Sequence, residues 1–370
     1  MNPWEDGPDR RRHVVVTGAS GNVGRSVVAE LTAAGHRVTG LCRRPPGPVP
    51  GGDPGADRVA WRAVDLTDDG ALPVLRSTFA ETDAVVHLAW GFQPSHRLDL
   101  LEELGVGGTR RVAQTALEAG VPHLVHMSSV GVYSPRTSDE PVDESYPREG
   151  VPTSPYSRHK AAAERLLDGL EQVAGGATTI TRLRPGIVGQ RVAGSALLRY
   201  AVPGLVPAWV LGFVPVLPID RRLEVQLVHA EDVADAVRRV VETGAGGAFN
   251  LVTAPPITAA DVAAALDATP VHVPAAALRA VVSGAWKARV EQLDPGWIDL
   301  AWSVPLLSSA RATDELGWHP RHQGHAVLDE VVEGLVTAAS GGSPVLRPRT
   351  VLGTVRAALH DGPVHRRAAP

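Results

Sequence analysis

Only two of the 36 Lys and Arg residues in this 370-residue chain are lysines, and one of them, Lys160, stands four residues after Tyr156 in SPYSRHKAAAERLL. A spacing of four puts both side chains on one helix face, a turn apart. A tyrosine phenol titrates near 10 unaided. An adjacent ammonium favours the phenolate and makes the phenol a usable acid or base nearer neutral pH. In a chain this rich in arginine, a retained lysine marks a place where a guanidinium cannot replace a compact ammonium on a flexible stem. A third hydroxyl comes from LVHMSSVGVYS, where Ser128 and Ser129 follow an apolar strand-like run. Open α/β sheets bind ligands at such carboxyl ends, and a hydroxyl there can donate to a carbonyl oxygen during hydride transfer.

The hydride carrier has its own signature. In VVVTGASGNVG, Gly18, Gly21 and Gly24 lie between a β-branched run and a helical pattern. The first glycine permits the turn, the second lets backbone approach a pyrophosphate, and the third lets helix pack on strand. The helix N-terminus then offers its N–H groups to the anion. The next strand, RVTGLC, ends in Cys42 followed by Arg43 and Arg44, with no carboxylate to accept from a ribose. Guanidiniums pair with phosphate, so NADP is preferred and NAD is the alternative. Asp65, closing the third strand, is a candidate for the adenine edge.

The elements needed to position these groups alternate along the first half. The pattern predicts strands at 13–17, 37–42, 58–63, 84–88, 124–127 and 178–183, and helices at 22–34, 97–119 and 154–170. Strands alternating with helices argue for a Rossmann-type, doubly wound parallel α/β sheet. After residue 185 the rhythm becomes mixed, which predicts a smaller α/β substrate lobe. The expected organisation is an extension at 1–12, a dinucleotide-binding domain at 13–190, an interleaved substrate lobe at 191–340 and a tail at 341–370.

Composition excludes other classes. A net charge of −4 argues against nucleic acid as a partner. The lone Cys42 excludes a disulfide framework. Glu231, Asp232 and Asp235 are too few to hold a metal without further ligands, so no metal is expected. Residues 1–12 are polar and carry no leader pattern. The uncharged run 201–217 contains three prolines and is shorter than the roughly 20 apolar residues that cross a bilayer. It reads as a pocket wall, with no stable membrane insertion and a cytoplasmic location. His87, on an apolar strand, reads as a packed core histidine.

Taken together, TGASGNVG, HLAW (87–90), HMSSVGVY (126–133), YSRHK (156–160), LRPGIVG (183–189), VHAEDVADAV (228–237) and ELGWHP (315–320) resemble the extended short-chain dehydrogenases/reductases, the NAD-dependent epimerase/dehydratase family. The resemblance spans about residues 13–330. It implies a Ser–Tyr–Lys catalytic set of Ser129, Tyr156 and Lys160, with Ser129 chosen over Ser128 by its spacing from Tyr133. It also implies cofactor contacts from Gly18, Ser20, Gly21, Asn22, Val23, Gly24, Arg43, Arg44, Asp65, Leu66, Leu88, Ala89, Trp90, Pro185 and Ile187, besides Tyr156 and Lys160.

Departures narrow the activity. The acidic pair that sugar 4,6-dehydratases carry after the catalytic hydroxyl is replaced by Val130 and Gly131. The Asn and Arg usual in nucleotide-sugar epimerases are replaced by Gly186 and Val225. The expectation is an NADP-preferring oxidoreductase acting on a small, partly apolar alcohol or ketone. A nucleotide-sugar epimerase with tightly held NAD is the runner-up, and a homodimer is compatible with either.

Overall fold

The computed structural model describes residues 10–46, 59–91, 95–201, 208–289, 293–343 and 345–347. The first nine residues, the loop centre 47–58, the middle of the apolar run (202–207) and all of the tail beyond 347 lie outside the described residues.

Strands β1 (His13–Thr17), β2 (Arg37–Cys42), β3 (Ala60–Ala63), β4 (Ala84–His87), β5 (His123–Met127) and β6 (Thr179–Pro185) alternate with helices α1 (Asn22–Ala33), α2 (Leu72–Phe79), α3 (Leu98–Glu102), α4 (Gly108–Glu118) and α5 (Pro155–Ala174). Val14, Val15, Val16, Val85 and Val86 are wholly buried, as expected of strands covered on both faces. The second lobe adds β7 (Ile187–Gly189), α6 (Gly194–Ala201), β8 (Val216–Ile219), β9 (Glu224–Val225), β10 (Leu227–His229) and α7 (Ala230–Thr243). It continues with β11 (Gly247–Leu251), β12 (Ile257–Thr258), α8 (Ala259–Ala265), β13 (Thr269–His272) and helices α9 (Ala275–Lys287), α10 (Gly296–Ser303), α11 (Ala310–Leu316) and α12 (Gly324–Val336).

The main sheet runs β11-β6-β5-β4-β1-β2-β3, with every pairing parallel. Strand order reverses between β1 and β4, and ligands of open α/β sheets lodge at that switch point. On one face, Val27, Val28 and Leu31 of α1 and Val233, Val237 and Val240 of α7 share a core with the sheet. On the other face, Leu75 and Phe79 of α2, Val112 and Ala116 of α4 and Leu167 of α5 share a second core. α5 begins at the Ser154 N-cap with Pro155 in its first turn and ends at Gly175, whose φ is +55°.

Two features differ from the sequence pattern. α2, with Pro73 in its first turn, lies in a stretch to which the pattern assigns no element. The helix expected over 97–119 is broken by a π-helical turn at Glu103–Gly107. α7 and β11, drawn from residues 191–340, supply a cover helix and an edge strand to the main sheet.

Candidate active site

The glycine loop turns against the end of β4. Gly18 has φ +69°, and a Cβ on it would come within 2.7 Å of the Ala89 nitrogen. A Cβ on Gly24 would overlap the Gly18 carbonyl oxygen. Only glycine fits either position. α1 starts at Gly21 with no side-chain cap and no acidic residue in its first turn, so its N–H groups point to an anion site without competition from the helix itself. Val23 packs on the core beneath, and Gln190 donates to the Asn22 carbonyl (2.7 Å) and to its Oδ1 (2.6 Å).

At the end of β2, Cys42 is buried, which pushes its thiol pKa up, while a hydrogen bond with Ser20 opposes the shift. Ser20 itself is 4% exposed, so its hydroxyl serves the strand end. Arg43 is half-buried and Arg44 exposed. Burial lowers the Arg43 pKa, with Asp65 opposing. Among the described residues, neither guanidinium lies within ion-pair distance of a carboxylate. Asp65 is exposed and accepts from the Thr67 N–H (3.0 Å) and hydroxyl (2.8 Å), and Leu66 is buried behind it. The uncapped helix start and the side-chain-free cradle fit the pyrophosphate of a dinucleotide.

Tyr156 and Lys160 come from the first turns of α5, and Ser129 from the end of β5. Ser129 Oγ accepts from the Gly131 N–H (3.0 Å) and is hydrogen-bonded to the Tyr156 side chain. The neighbouring Ser128 Oγ donates instead to buried Glu164. Lys160 is 2% exposed; its Nζ donates to the Met127 carbonyl (2.8 Å) and lies 3.6 Å from the Trp90 ring centroid. The geometry alters the expected electrostatics. Burial pushes the Tyr156 pKa up to about 12 against the Ser129 hydrogen bond, and burial pushes Lys160 down to about 7. Lys160 Nζ lies 6.0 Å from the tyrosine ring centroid and donates to a backbone oxygen, so burial governs the phenol.

Leu88 and Ala89 hang from β1, their N–H groups donating to Thr17 O (3.1 Å) and Thr17 Oγ1 (3.4 Å). Trp90 then meets Tyr156 edge-on, with centroids 6.4 Å apart. A Cβ on Gly105 would lie 3.0 Å from the Trp90 indole, so the π-helical turn brings bare backbone against that ring. His87 is a satisfied core residue, its ring nitrogens within 2.7 Å of Thr17 Oγ1 and 3.0 Å of Thr109 Oγ1.

Two groups escaped the sequence reading. Trp297 of α10 lies 4.9 Å from the Tyr156 ring, tilted 31°, and is brought there by Gly296, which fits closely against Thr153 and Ser154. Nothing local marks this contact across some 140 residues. The second is Glu164, four residues after Lys160 and therefore on the same helix face. Arg184 donates to it from both Nε (2.9 Å) and Nη2 (2.6 Å), then passes to Tyr133 Oη (2.9 Å), which donates to Asn250 Oδ1 (2.6 Å). The centre of the run expected as a pocket wall, 202–207, lies outside the described residues. On either side of it, α6 and the turn at Ala208–Phe213 pack on α12, where Gly194 abuts Gly334 and Gly212 abuts Val336. The aromatic faces beside Tyr156 are Trp90 and Trp297.

Space also bears on the departures noted above. A Cβ on Gly131 would lie 3.0 Å from the Tyr156 ring, and one on Gly186 would overlap the Gln226 carbonyl. Val225 is buried against Ile257. Pro185 closes β6 under cover, and Ile187, 50% exposed, faces outward at the start of β7.

The profile described as "NAD dependent epimerase/dehydratase family" matches residues 14–251. L-arabinose 1-dehydrogenase (NAD(P)(+)) of Haloferax volcanii is 37% identical over 120 residues, 32% of this chain and 42% of that protein. UDP-glucose 4-epimerase of Mycolicibacterium smegmatis is 31% identical over 159 residues, 42% of this chain and 50% of that protein. The chain therefore spans at most half the length of these two curated relatives. Among solved structures, Thermus thermophilus UDP-glucose 4-epimerase in complex with NAD superposes with a TM-score of 0.64 at 24% identity, over 87% of this chain and 98% of that one. Among the described residues, no helix is long and apolar enough to cross a membrane.

Proposed function

The chain belongs to the NAD-dependent epimerase/dehydratase family, and on that premise we propose that it is an NADP-preferring oxidoreductase for a small, partly apolar alcohol or ketone. The observation that carries this reading is the Ser129–Tyr156 hydrogen bond beside buried Lys160, with glycine at 131 and 186 where other members place acid or amide side chains.

Gly18, Gly21, Gly24 and the start of α1 would hold the pyrophosphate, Arg43 and Arg44 the ribose phosphate, and Lys160 the nicotinamide ribose. When bound, the nicotinamide supplies or accepts the hydride. Tyr156, with its pKa near 12, keeps its proton at neutral pH and delivers it from Oη to the substrate oxygen as that oxygen gains charge. Ser129 orients the same oxygen through its hydroxyl. Trp90 and Trp297 exclude water and favour a substrate with an apolar face next to the reacting carbon.

Two measurements test this. Tyr156→Phe removes the transferable proton and lowers NADPH-dependent turnover by about 10²–10⁴-fold while leaving cofactor affinity nearly intact; turnover within tenfold of the parent overturns the assignment. Arg43→Ala weakens NADP binding by about 10- to 150-fold with little change for NAD, the value of one charge-assisted phosphate contact. Epimerase activity is the second reading, favoured by the M. smegmatis relative. Stoichiometric NAD retained through purification would put it first.

A further inference from the structure

Glu231, Asp232 and Asp235 were too few for a metal by sequence, but the fold brings two histidines to the first of them. His229 ends β10 and caps α7, Glu231 lies in the first turn of α7, and His322 arrives on the loop before α12. We propose that His229, Glu231 and His322 form a binding site for a divalent transition-metal ion of the zinc class, separate from the catalytic centre.

The donor geometry supports this. One ligand atom from each of the three residues can be chosen so that all lie within 4.8 Å of one another. The imidazole rings are nearly stacked, with centroids 3.9 Å apart and a 34° tilt. Zinc bonds of about 2.0–2.2 Å place neighbouring ligand atoms about 3.3 Å apart, so closure needs side-chain movements of at most about 1.5 Å.

The tautomers are also set for ligation. His322 Nδ1 lies 3.1 Å from Asp232 Oδ2, so its proton belongs on that side and Nε2 keeps its lone pair. That Nε2 is 3.7 Å from Glu231 Oε2. His229 Nε2, buried and without a hydrogen bond of good geometry, sits 3.1 Å from Glu330 Oε2. A proton on that nitrogen leaves the His229 Nδ1 lone pair on the Glu231 side, where it meets only the Glu231 N–H at 3.3 Å. Each imidazole thus has a carboxylate behind it; His322 turns a bare nitrogen toward Glu231, and His229 Nδ1 would exchange its helix-capping contact with the Glu231 N–H for the ion, an arrangement in which a second carboxylate orients a metal-bound histidine. Asp232 is itself held by the backbone N–H groups of Arg321 (2.9 Å) and His322 (3.1 Å). Three carboxylates outweigh the partial positive charge of about one half at the α7 N-terminus and the exposed Arg321 nearby. Imidazole nitrogens with one carboxylate oxygen suit zinc, cobalt or nickel better than magnesium or calcium. The ion would tie α7 to the 318–322 loop, with α12 joined through Glu330.

The test uses the full chain, stripped with chelator and titrated with Zn²⁺ by calorimetry and with Co²⁺ by visible absorption. The expected result is one ion per chain, a tetrahedral cobalt spectrum and a raised melting temperature. His322→Ala and Glu231→Gln, both at solvent-accessible positions, are expected to lose at least tenfold in affinity while melting like the metal-free parent. Parent and variants that bind Zn²⁺ alike, or a parent with no saturable site, overturn the proposal.

Discussion

Lys160 and Glu164 stand one turn apart on the same face of α5, at 2% and 0% exposure, and the fold treats their charges in opposite ways. Glu164 receives two hydrogen bonds from Arg184, one from Ser128 and a contact from Arg148 at 3.3 Å. Burial alone would raise its pKa, yet these partners hold it below the ordinary carboxylate value. Lys160 has one backbone carbonyl and the face of Trp90, and burial pulls it down to about 7. The charge that only braces β5, β6 and the Tyr133 loop is fully satisfied. The charge assigned to chemistry is kept where it is poorly satisfied, as expected of a group held in readiness for a ligand.

The sharpest way to break this comparison is Glu164→Ala. It strands Arg184 in the core and is expected to cost about 3–5 kcal/mol in urea denaturation, the usual penalty for an orphaned buried charge. A loss below about 1 kcal/mol would mean that the pair is not holding β5 to β6.

Lys160→Met points the other way. It is expected to abolish turnover yet stabilise the cofactor-free protein by on the order of 1–3 kcal/mol at pH 7, because each pKa unit of depression costs about 1.4 kcal/mol when the amine must be charged. The same group predicts the pH response. Its folded pKa is near 7 and its ordinary value 10.5, so between these the unfolded chain binds the extra proton and parent stability climbs with pH. Lys160→Met should lose that climb. Glu164 acts at the other end: its contribution is present above the ordinary value of 4.5 and is lost as pH falls through the lower folded value.

The smallest expected effect is that of Trp90→Leu. Losing a desolvated cation–π contact of up to about 2 kcal/mol lets Lys160 titrate lower still, moving the start of the alkaline climb down by about one pH unit. An unchanged profile would show that the indole does not hold the ammonium.

Much of this was legible in the residues themselves. β1 and β4 carry continuous apolar runs (VVV, AVV), and the glycine triplet and the Tyr156/Lys160 spacing are local patterns that a helix or turn translates directly into geometry. Pairings between distant segments were not legible. Trp297 reaches Tyr156 only because Gly296 admits close backbone contact, and the apolar run near 208–213 packs on α12 where Gly212 sits against Val336. The phenol's expected acidification is opposed by burial, which periodicity does not reveal, while the Met127 carbonyl takes the lysine. Glu164 had a visible signal in its position four residues past Lys160, but its partner Arg184 had to be seen.

The pairing of β11 with β6 has a consequence for how the molecule is made. Until Gly247–Leu251 emerges, β6 is the open border of the parallel sheet, although the glycine loop and Ser129, Tyr156 and Lys160 have already been synthesised. A ribosome adding 5–20 residues per second needs roughly 3–13 s to travel from Pro185 to Leu251. Through that interval an unpaired strand and the apolar surface meant for α7 are offered to whatever is nearby. The half that carries the glycine loop is therefore finished by a strand from the later half, so a fault in the later segment reaches back into the earlier one.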